Sequence, residues 1–227
     1  PERLRVSVHH SDDEARKLWR EASGLPDTRI YGLSDKDNFW QMADTGPCGP
    51  CSEIYVDLEW AQGRRGAGAE EVISKEDFER LAEEGRFLEI WNLVFMQYDR
   101  AQDGTLTPLP KPSVDTGAGL ERILAVLAGS PTSYAADTLA VLVDEAQSLT
   151  GRKLGSDAAT DVGLRLLADH ARTMTFLVAD QVMPSNEARG YVLRRIIRRA
   201  ISFAYRLGVE TDVTAALAAR VADSMGD

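Results

Sequence analysis

The spacing that first suggests chemistry is the stretch CGPC at residues 48–51, which is the arrangement of thioredoxin-type dithiol sites. Such a site needs its first cysteine at a helix N-terminus, where backbone N–H groups and the helix dipole stabilise the thiolate. Ile54, Val56 and Leu58 instead alternate with polar residues, and this period of two predicts a half-buried strand. We therefore predict a tight loop that leads into a strand, and we keep a dithiol oxidoreductase only as the weakest alternative.

Cysteine and histidine are scarce in the chain. Two cysteines and three histidines (His9, His10 and His170) offer too few ligands at zinc-like spacing, so we predict no metal site. The low cysteine count argues against a disulfide scaffold, and no stretch of apolar residues is long enough to cross a membrane. These features predict a cytoplasmic protein without a membrane partner.

A second candidate site is the stretch VDTGAGLERI, which leads into a helical apolar pattern. Asp115 or Thr116 could cap the helix, while Gly117 and Gly119 leave room for a ligand to reach backbone N–H groups at its N-terminus. Arg122 falls within about the first turn, from which it could reach the same anion. The stretch therefore predicts an anion site, with a plain helix cap as the alternative.

A third candidate is the cluster of Arg194, Arg195, Arg198 and Arg199, which lie within six residues of one predicted helix with no acidic residue between them. The chain carries a net charge of −10, so its surface as a whole does not attract nucleic acid. A local concentration of guanidinium groups suits the phosphates of a nucleic-acid backbone. The alternative is a solvated charged face.

The same helix carries an apolar stripe that would pack against a core. Its predicted members are Val192, Leu193, Ile196, Ile197, Ala200, Ala204 and Leu207.

The elements that position these residues change in type along the chain. Residues 3–8 alternate like a strand, and residues 87–98 form a long apolar run that predicts a buried strand. An Asp103-Gly104 turn would return the chain as a hairpin through residues 105–109. Residues 59–86 are acidic and contain glycine, which predicts an inserted loop followed by a helix.

From residue 118 onward the sequence predicts helices almost throughout. Their predicted ranges are 118–128, 134–149, 158–181, 186–207 and 211–224. We therefore divide the chain into a mixed region, residues 1–130, and a helical region, residues 131–227.

Taken together, three stretches resemble the alanyl-tRNA synthetase family in order and spacing over nearly the whole chain: DNFWQMADTGPCGPCSEI, the run from EIWNLVFMQY to VDTGAGLERI, and ADHARTMTFLVADQVMPSNEARGYVLRRIIRRA. VDTGAGLERI is similar to motif 3 of class II synthetases. The resemblance implies an α+β fold, in which part of an antiparallel class II sheet precedes a helical domain. It also implies activation of alanine with ATP and Mg²⁺, followed by transfer to the acceptor stem of tRNA(Ala).

The resemblance implies roles for individual residues of the mixed region. Asp115 would bind the alanine ammonium, Trp40 would close the pocket around the methyl group, and Asn92 would hydrogen-bond the ligand. Gly117 would stay small beside the ligand. Arg122, the catalytic arginine, would bind the ATP phosphates together with Gly117 and Gly119.

In the helical region, the resemblance implies that Asn186 approaches the G·U wobble pair that identifies the tRNA. The four arginines of the cluster would hold phosphates of the acceptor stem, which presents a wide and shallow minor groove.

The sequence also departs from the family pattern. Motifs 1 and 2 are not found in these residues, nor is the zinc-binding editing domain, and Ala118 stands where a methionine is usual. We therefore expect a segment that is incomplete for catalysis and lacks an N-terminal catalytic portion of its parent protein. The alternative from another class is a non-catalytic module that binds RNA or an adenylate.

Overall fold

The computed structural model describes residues 2–61, 63 and 71–225, so part of the loop predicted within residues 59–86 lies outside the described residues. The chain forms two compact units, Pro1–Pro131 and Thr132–Asp227. The roles assigned above to the two regions remain predictions. None of the helices in the described residues is long and apolar enough to cross a membrane.

The first unit is built on one mixed sheet. Its described strands are β1 (Leu4–His9), β2 (Ile30–Leu33), β3 (Phe39–Gln41), β4 (Gly46–Asp57), β5 (Phe87–Arg100) and β6 (Leu106–Ala118). The order is β2-β1-β4-β5-β6, and β3 pairs with β4. Together with the helices, this sheet confirms the predicted α+β class.

One strand pair departs from the antiparallel expectation. β1 and β2 run parallel, whereas the other pairs of the described sheet are antiparallel. Helix α1 (Asp13–Ser23) connects β1 to β2. A parallel pair needs such a crossover because the chain must return to the starting end of the sheet before the second strand begins.

Helices of the first unit cover parts of both faces of the sheet. They are α1, α2 (Asp35–Asn38), α3 (Leu58–Ala61), α4 (Lys75–Glu83) and α5 (Leu120–Leu127). The α1 side buries Val6, Val8 and Ile30. On the other side, Phe78 of α4 stacks on Tyr31 with ring centroids 4.1 Å apart.

The predicted hairpin is confirmed, although its strands differ from the prediction in length and burial. The Asp103 carboxylate accepts the Thr105 N–H at 2.9 Å, and Gly104 has a φ of 85°. β5 is less buried than its apolar sequence predicts, because Trp91 exposes 40% of its surface. β6 extends to Ala118, well beyond the predicted return at residues 105–109.

The prediction that Asp115 or Thr116 caps a helix is wrong. Both lie in β6, and α5 begins at Leu120 with Gly119 as an N-cap residue that makes no side-chain hydrogen bond. Pairing of β5 with β6 continues as far as Ala118, which holds the preceding backbone in the sheet. The helix therefore starts two residues later than predicted.

In the described part of the second unit, four α-helices surround a leucine-rich core. They are α6 (Asp137–Thr150), α7 (Ala158–Ala179), α8 (Ala188–Arg206) and α9 (Thr214–Met225), and their ends differ from the prediction by at most three residues. Leu142, Leu164, Leu193 and Leu217 are fully buried.

One member of the predicted stripe on α8 is misplaced. Val192 exposes 52% of its surface, whereas the adjacent Leu193 is buried along with Ala200, Ala204 and Leu207. Neighbouring residues of a helix point about 100° apart, so Val192 falls outside the buried stripe.

Candidate amino-acid, nucleotide and acceptor-stem sites

Strand register brings three predicted site residues together. Asn92 of β5 lies opposite Gly117 of β6, and Asp115 lies opposite Val94, two residues from Asn92. Alternate residues of a strand share a face, so Asn92, Asp115 and Gly117 lie on the same side of the sheet. Glu53 of β4 lies opposite Asn92 on its other flank and joins this face.

The space between these residues suits a group that donates hydrogen bonds. A Cβ added to Gly117 would meet no atom within 4 Å. The Asn92 Oδ1 is buried and has no hydrogen-bond partner among the described residues, while the exposed Asp115 carboxylate accepts the adjacent Thr116 N–H at 2.8 Å. An amide oxygen and a carboxylate beside an open space can accept the N–H groups of an ammonium ion.

Glu53 is a site residue that the sequence analysis did not single out. Its side chain is buried, its Oε2 accepts the Tyr55 hydroxyl at 2.5 Å, and the Ser7 hydroxyl lies 3.4 Å from the same oxygen. Burial raises the pKa of Glu53 to about 7. The available signal was that Glu53 is the only charged residue of residues 45–56, which make up most of β4.

Trp40 lies farther from this cluster. It sits in β3 opposite Gly49 of β4, and β4 separates β3 from β5. Two strand spacings, about 10 Å, therefore separate the Trp40 backbone from β5. A half-buried Trp40 can contribute to an amino-acid pocket only if its indole extends across β4.

The CGPC stretch belongs to β4 itself, and its bulge replaces the separate loop that we predicted. The register of β4 against β5 shifts between Cys48 and Cys51. Both cysteines are buried free thiols, and burial raises the pKa of Cys51 to about 12. A thiol in this environment stays protonated at neutral pH, so the geometry does not support dithiol chemistry.

Arg122 lies in the first turn of α5, as predicted, and is anchored to β5. Its Nη1 donates to the main-chain oxygen of Glu89 at 2.8 Å and lies 3.3 Å from the Glu89 carboxylate. Both residues line an open cavity of about 600 Å³ with Tyr55 and Lys36. A cavity of this size accommodates a small organic ligand.

The backbone cradle predicted at the start of α5 is smaller than expected. The Gly119 N–H already donates to the Ile90 carbonyl at 3.1 Å. A Cβ on Gly119 would lie 3.0 Å from Cδ of Arg122, so the missing side chain leaves room for the arginine stem. The N–H groups available to an anion are those of the first helical turn, which begins at Leu120.

In the second unit, α8 presents the predicted basic surface. Arg194, Arg195, Arg198 and Arg199 are all exposed. Within the part of the chain that the structure describes, none of them has a carboxylate within the 4.0 Å that defines an ion pair. Four exposed guanidinium groups without acidic partners are available to an external anion.

Asn186 occupies the loop between α7 and α8, where its side-chain oxygen accepts a hydrogen bond from Arg194. Gly190 lets this loop cross the first turn of α8, because a Cβ there would lie 2.4 Å from the Met183 carbonyl oxygen. Ala188 has a φ of 47°, a conformation that costs energy for a residue other than glycine. The backbone of the loop that carries Asn186 is therefore tightly packed and conformationally constrained.

The whole chain, residues 1–227, matches the family described as tRNA synthetases class II (A). The chain belongs to this family. It is 50% identical over 226 residues to the alanine–tRNA ligase of Acidithiobacillus ferridurans, covering 100% of this chain and 25% of that protein. The alanine–tRNA ligase of Anaeromyxobacter dehalogenans is 52% identical over 217 residues, covering 95% and 23%. The chain thus spans about a quarter of the length of these relatives.

In this class II (A) chain, the predicted residues fall into separate groups. Asn92, Asp115 and Gly117 form one cluster on the sheet, and Arg122 lies on the helix that follows β6. Asn186 and the arginine cluster belong to the second unit.

Proposed function

We propose that this chain forms part of an alanine–tRNA ligase, which activates alanine with ATP and transfers it to tRNA(Ala) in the cytoplasm. The cluster of Asn92, Asp115 and Gly117 carries the proposal, because two oxygen acceptors flank an open space on one face of the sheet. The name shared by the relatives, alanine–tRNA ligase, supports the choice of amino acid.

In the proposed amino-acid site, the Asp115 carboxylate pairs with the alanine ammonium, and Asn92 Oδ1 accepts another of its N–H groups. Gly117 leaves room for the ligand, and the Trp40 indole closes the pocket around the methyl group. Burial of one methyl contributes only about 1 kcal/mol. The pocket therefore discriminates weakly against glycine, and a hydrophobic pocket also rejects the added hydroxyl of serine weakly.

In the proposed nucleotide site, Arg122 and the first-turn N–H groups of α5 bind the phosphates of ATP, which arrives as its Mg²⁺ complex. Arg122 is the catalytic residue, because its guanidinium stabilises negative charge as the alanine carboxylate attacks the α-phosphorus and pyrophosphate leaves. Gly119 contributes by leaving space for the Arg122 stem.

The proposed RNA site lies in the second unit. The arginine cluster of α8 holds phosphates of the acceptor stem, and the exposed Asn186 side chain reads the G·U pair from the shallow minor groove. The absence of acidic partners for these arginines among the described residues supports this assignment.

A non-catalytic RNA- or adenylate-binding module is the second candidate. It is favoured by the exposed arginine cluster of α8, which could bind RNA without a complete catalytic site. We expect the 227-residue chain on its own to form alanyl-adenylate far more slowly than the full-length protein, because motif 2 and its arginine are not found in these residues. Removal of even one preorganised hydrogen-bond donor costs about 10²–10³ in rate.

Alanine-dependent ATP–pyrophosphate exchange by the full-length protein that contains this segment tests the proposal. Asp115→Asn removes the charge that pairs with the ammonium and should lower kcat/KM for alanine by about tenfold to a hundredfold. Asp99→Asn, at an exposed carboxylate on the same hairpin, is the matched control and should keep wild-type activity.

No exchange by the wild-type full-length protein would overturn the ligase assignment in favour of the binding module. Equal activity of the Asp115 and Asp99 variants would overturn the assignment of the ammonium site.

A further inference from the structure

Two histidines and an aspartate from separate elements meet at one end of the sheet. His9 is the last residue of β1, His10 follows it, and Asp35 is the first residue of α2. One ligand atom from each lies within 4.8 Å of the others. Asp35 Oδ1 lies 2.8 Å from Nε2 of His9 and 4.0 Å from Nε2 of His10.

These separations suit one bound metal ion. Zinc-type ions bind imidazole nitrogen and carboxylate oxygen at about 2.0–2.2 Å, so neighbouring ligand atoms lie about 3–3.5 Å apart. The two distances to the Asp35 oxygen bracket this range. The His10 and Asp35 side chains are 55% and 78% exposed, so small rotations can bring both onto one ion.

His9 is already held in the orientation that a ligand needs. Its ring is buried, and Nδ1 lies 2.8 Å from the Ser11 hydroxyl while Nε2 points at Asp35. The ring also packs against His10 and Phe39, with centroids 4.4 and 6.0 Å away. Metal-binding histidines commonly use a hydrogen bond at the second ring nitrogen to fix the tautomer and the ring plane.

We propose that His9, His10 and Asp35 bind one divalent transition-metal ion of the zinc and cobalt class through two imidazole nitrogens and one carboxylate. A site of two nitrogens and one oxygen suits these ions better than Mg²⁺ or Ca²⁺, which prefer oxygen ligands. Spacing along the sequence did not predict the site, because Asp35 comes from a different element and is not a zinc-finger type of ligand.

The ion would tie the end of β1 to α2, which leads directly into β3 and Trp40. α2 is already tied to β4, because the Asn38 amide donates to the Cys51 carbonyl at 3.1 Å. The bound ion therefore adds a second tie to the segment that precedes Trp40.

Titration of the chain, prepared without a histidine tag, with Co²⁺ tests the proposal by calorimetry and visible absorption. We expect one Co²⁺ per chain, absorption bands of nitrogen and oxygen coordination without a thiolate charge-transfer band, and displacement by Zn²⁺. His10→Ala and Asp35→Ala should each weaken binding by at least about tenfold, and Ser11→Ala by about tenfold through loss of the ring's hydrogen bond.

His170→Gln, at the only other histidine of the chain, is the matched control and should bind Co²⁺ like the wild type. Circular dichroism verifies that each variant is folded. The His10 and Asp35 side chains are exposed, so their replacement should not disturb the fold. Failure of the wild type to bind one equivalent, a thiolate band, or unchanged affinity in both the His10 and Asp35 variants would overturn the proposal.

Discussion

The Arg122 guanidinium donates to the main-chain oxygen of Glu89 at 2.8 Å and lies 3.3 Å from the carboxylate of the same residue. The main-chain bond holds the arginine over β5. The contact with the carboxylate is partly exposed and therefore weak, so a phosphate can replace it. The arginine is thus held near its proposed working position by the backbone.

The Arg122→Lys substitution distinguishes the contribution of the planar guanidinium geometry from that of the positive charge. Lysine keeps the positive charge but lacks the planar, rigid fork with which arginine can reach the Glu89 carbonyl and a phosphate oxygen from different nitrogens. In the full-length protein we expect kcat for pyrophosphate exchange to fall by about 10²-fold or more, with little change in the KM for alanine. The exposed Arg20→Lys should show wild-type kinetics, and a fully active Arg122→Lys enzyme would contradict the role.

The bond from Arg194 to Asn186 predicts that the four arginines of α8 are not equivalent. Arg198→Gln should weaken binding of G·U and G·C acceptor stems alike and reduce the salt slope by about one unit or less. Arg194→Gln should do the same and should also lower the preference for the G·U stem, because Asn186 loses the group that orients it. Asn186→Ala should lose that preference, worth about 1–3 kcal/mol, with an unchanged salt slope.

Minihelix titrations at several salt concentrations measure both effects. Arg20→Gln, an exposed arginine of the first unit, controls for the change in net charge. If the ratio of the affinities for G·U and G·C stems were identical in the Arg194 and Arg198 variants, the positioning role of Arg194 would be refuted. Unchanged salt slopes in both variants would mean that the arginines of α8 are only a solvated charged face.

Gly117 and Gly49 predict opposite consequences of the same substitution. Gly49→Ala would place a Cβ 2.0 Å from the Phe95 carbonyl oxygen, so β4 and β5 must separate and the first unit should lose several kcal/mol of stability, about 3 kcal/mol or more. Gly117→Ala meets no atom within 4 Å and should leave stability within about 1 kcal/mol of wild type.

The Gly117→Ala variant should nevertheless lose alanine activation, because its methyl group fills the space proposed for the ligand. Denaturant unfolding of the 227-residue chain, followed by tryptophan fluorescence, reports on the first unit alone, since all four tryptophans of the chain lie there. A Gly117→Ala enzyme with a normal KM for alanine would show that the ligand binds elsewhere.

Glu53 predicts a pH dependence of stability. Its pKa in the folded protein is raised from the ordinary 4.5 to about 7, so the native state favours the protonated carboxyl. The corresponding stability is present in full below pH 4.5 and is lost as the pH rises through 7, by up to about 3 kcal/mol. Glu53→Gln should remove this loss, since glutamine is neutral and still accepts the Tyr55 hydroxyl.

The same fluorescence assay at about pH 5 and about pH 8 tests this sign. The variant should be more stable than wild type only at the higher pH, and Glu21→Gln on the exposed surface of α1 should follow the wild type at both. A Glu53→Gln variant that is destabilised at the higher pH would mean that the charged carboxylate stabilises the fold.

Features encoded locally could be predicted from the sequence. The start of helix α7 is one such feature, because the N-cap residue Asp157 accepts the N–H of Thr160, only three residues farther along the chain. The basic face of α8 follows directly from helical periodicity. The β5–β6 hairpin likewise depends on the Asp103-Gly104 turn.

Features that depend on distant pairing could not be predicted. How far β6 extends, and hence that Asp115 is a strand residue, depends on the length of β5. The separation of Trp40 from Asn92 depends on β3 pairing with β4 on the side away from β5. The juxtaposition of His9 and Asp35 requires the parallel pairing of β1 with β2, which no local pattern encodes.

The hairpin turn has a further consequence, for the order in which the proposed amino-acid site assembles. Asn92, Asp115 and Gly117 lie on two strands joined by a short turn, so their contacts can form as strand pairing extends from that turn and should form early in folding. Glu53 joins them only when β4 docks against β5 across the segment that contains α3 and α4, which costs more loop-closure entropy. Asn92, Asp115 and Gly117 are therefore expected to come together on the hairpin timescale, and Glu53 is expected to join them later, when β4 pairs with β5.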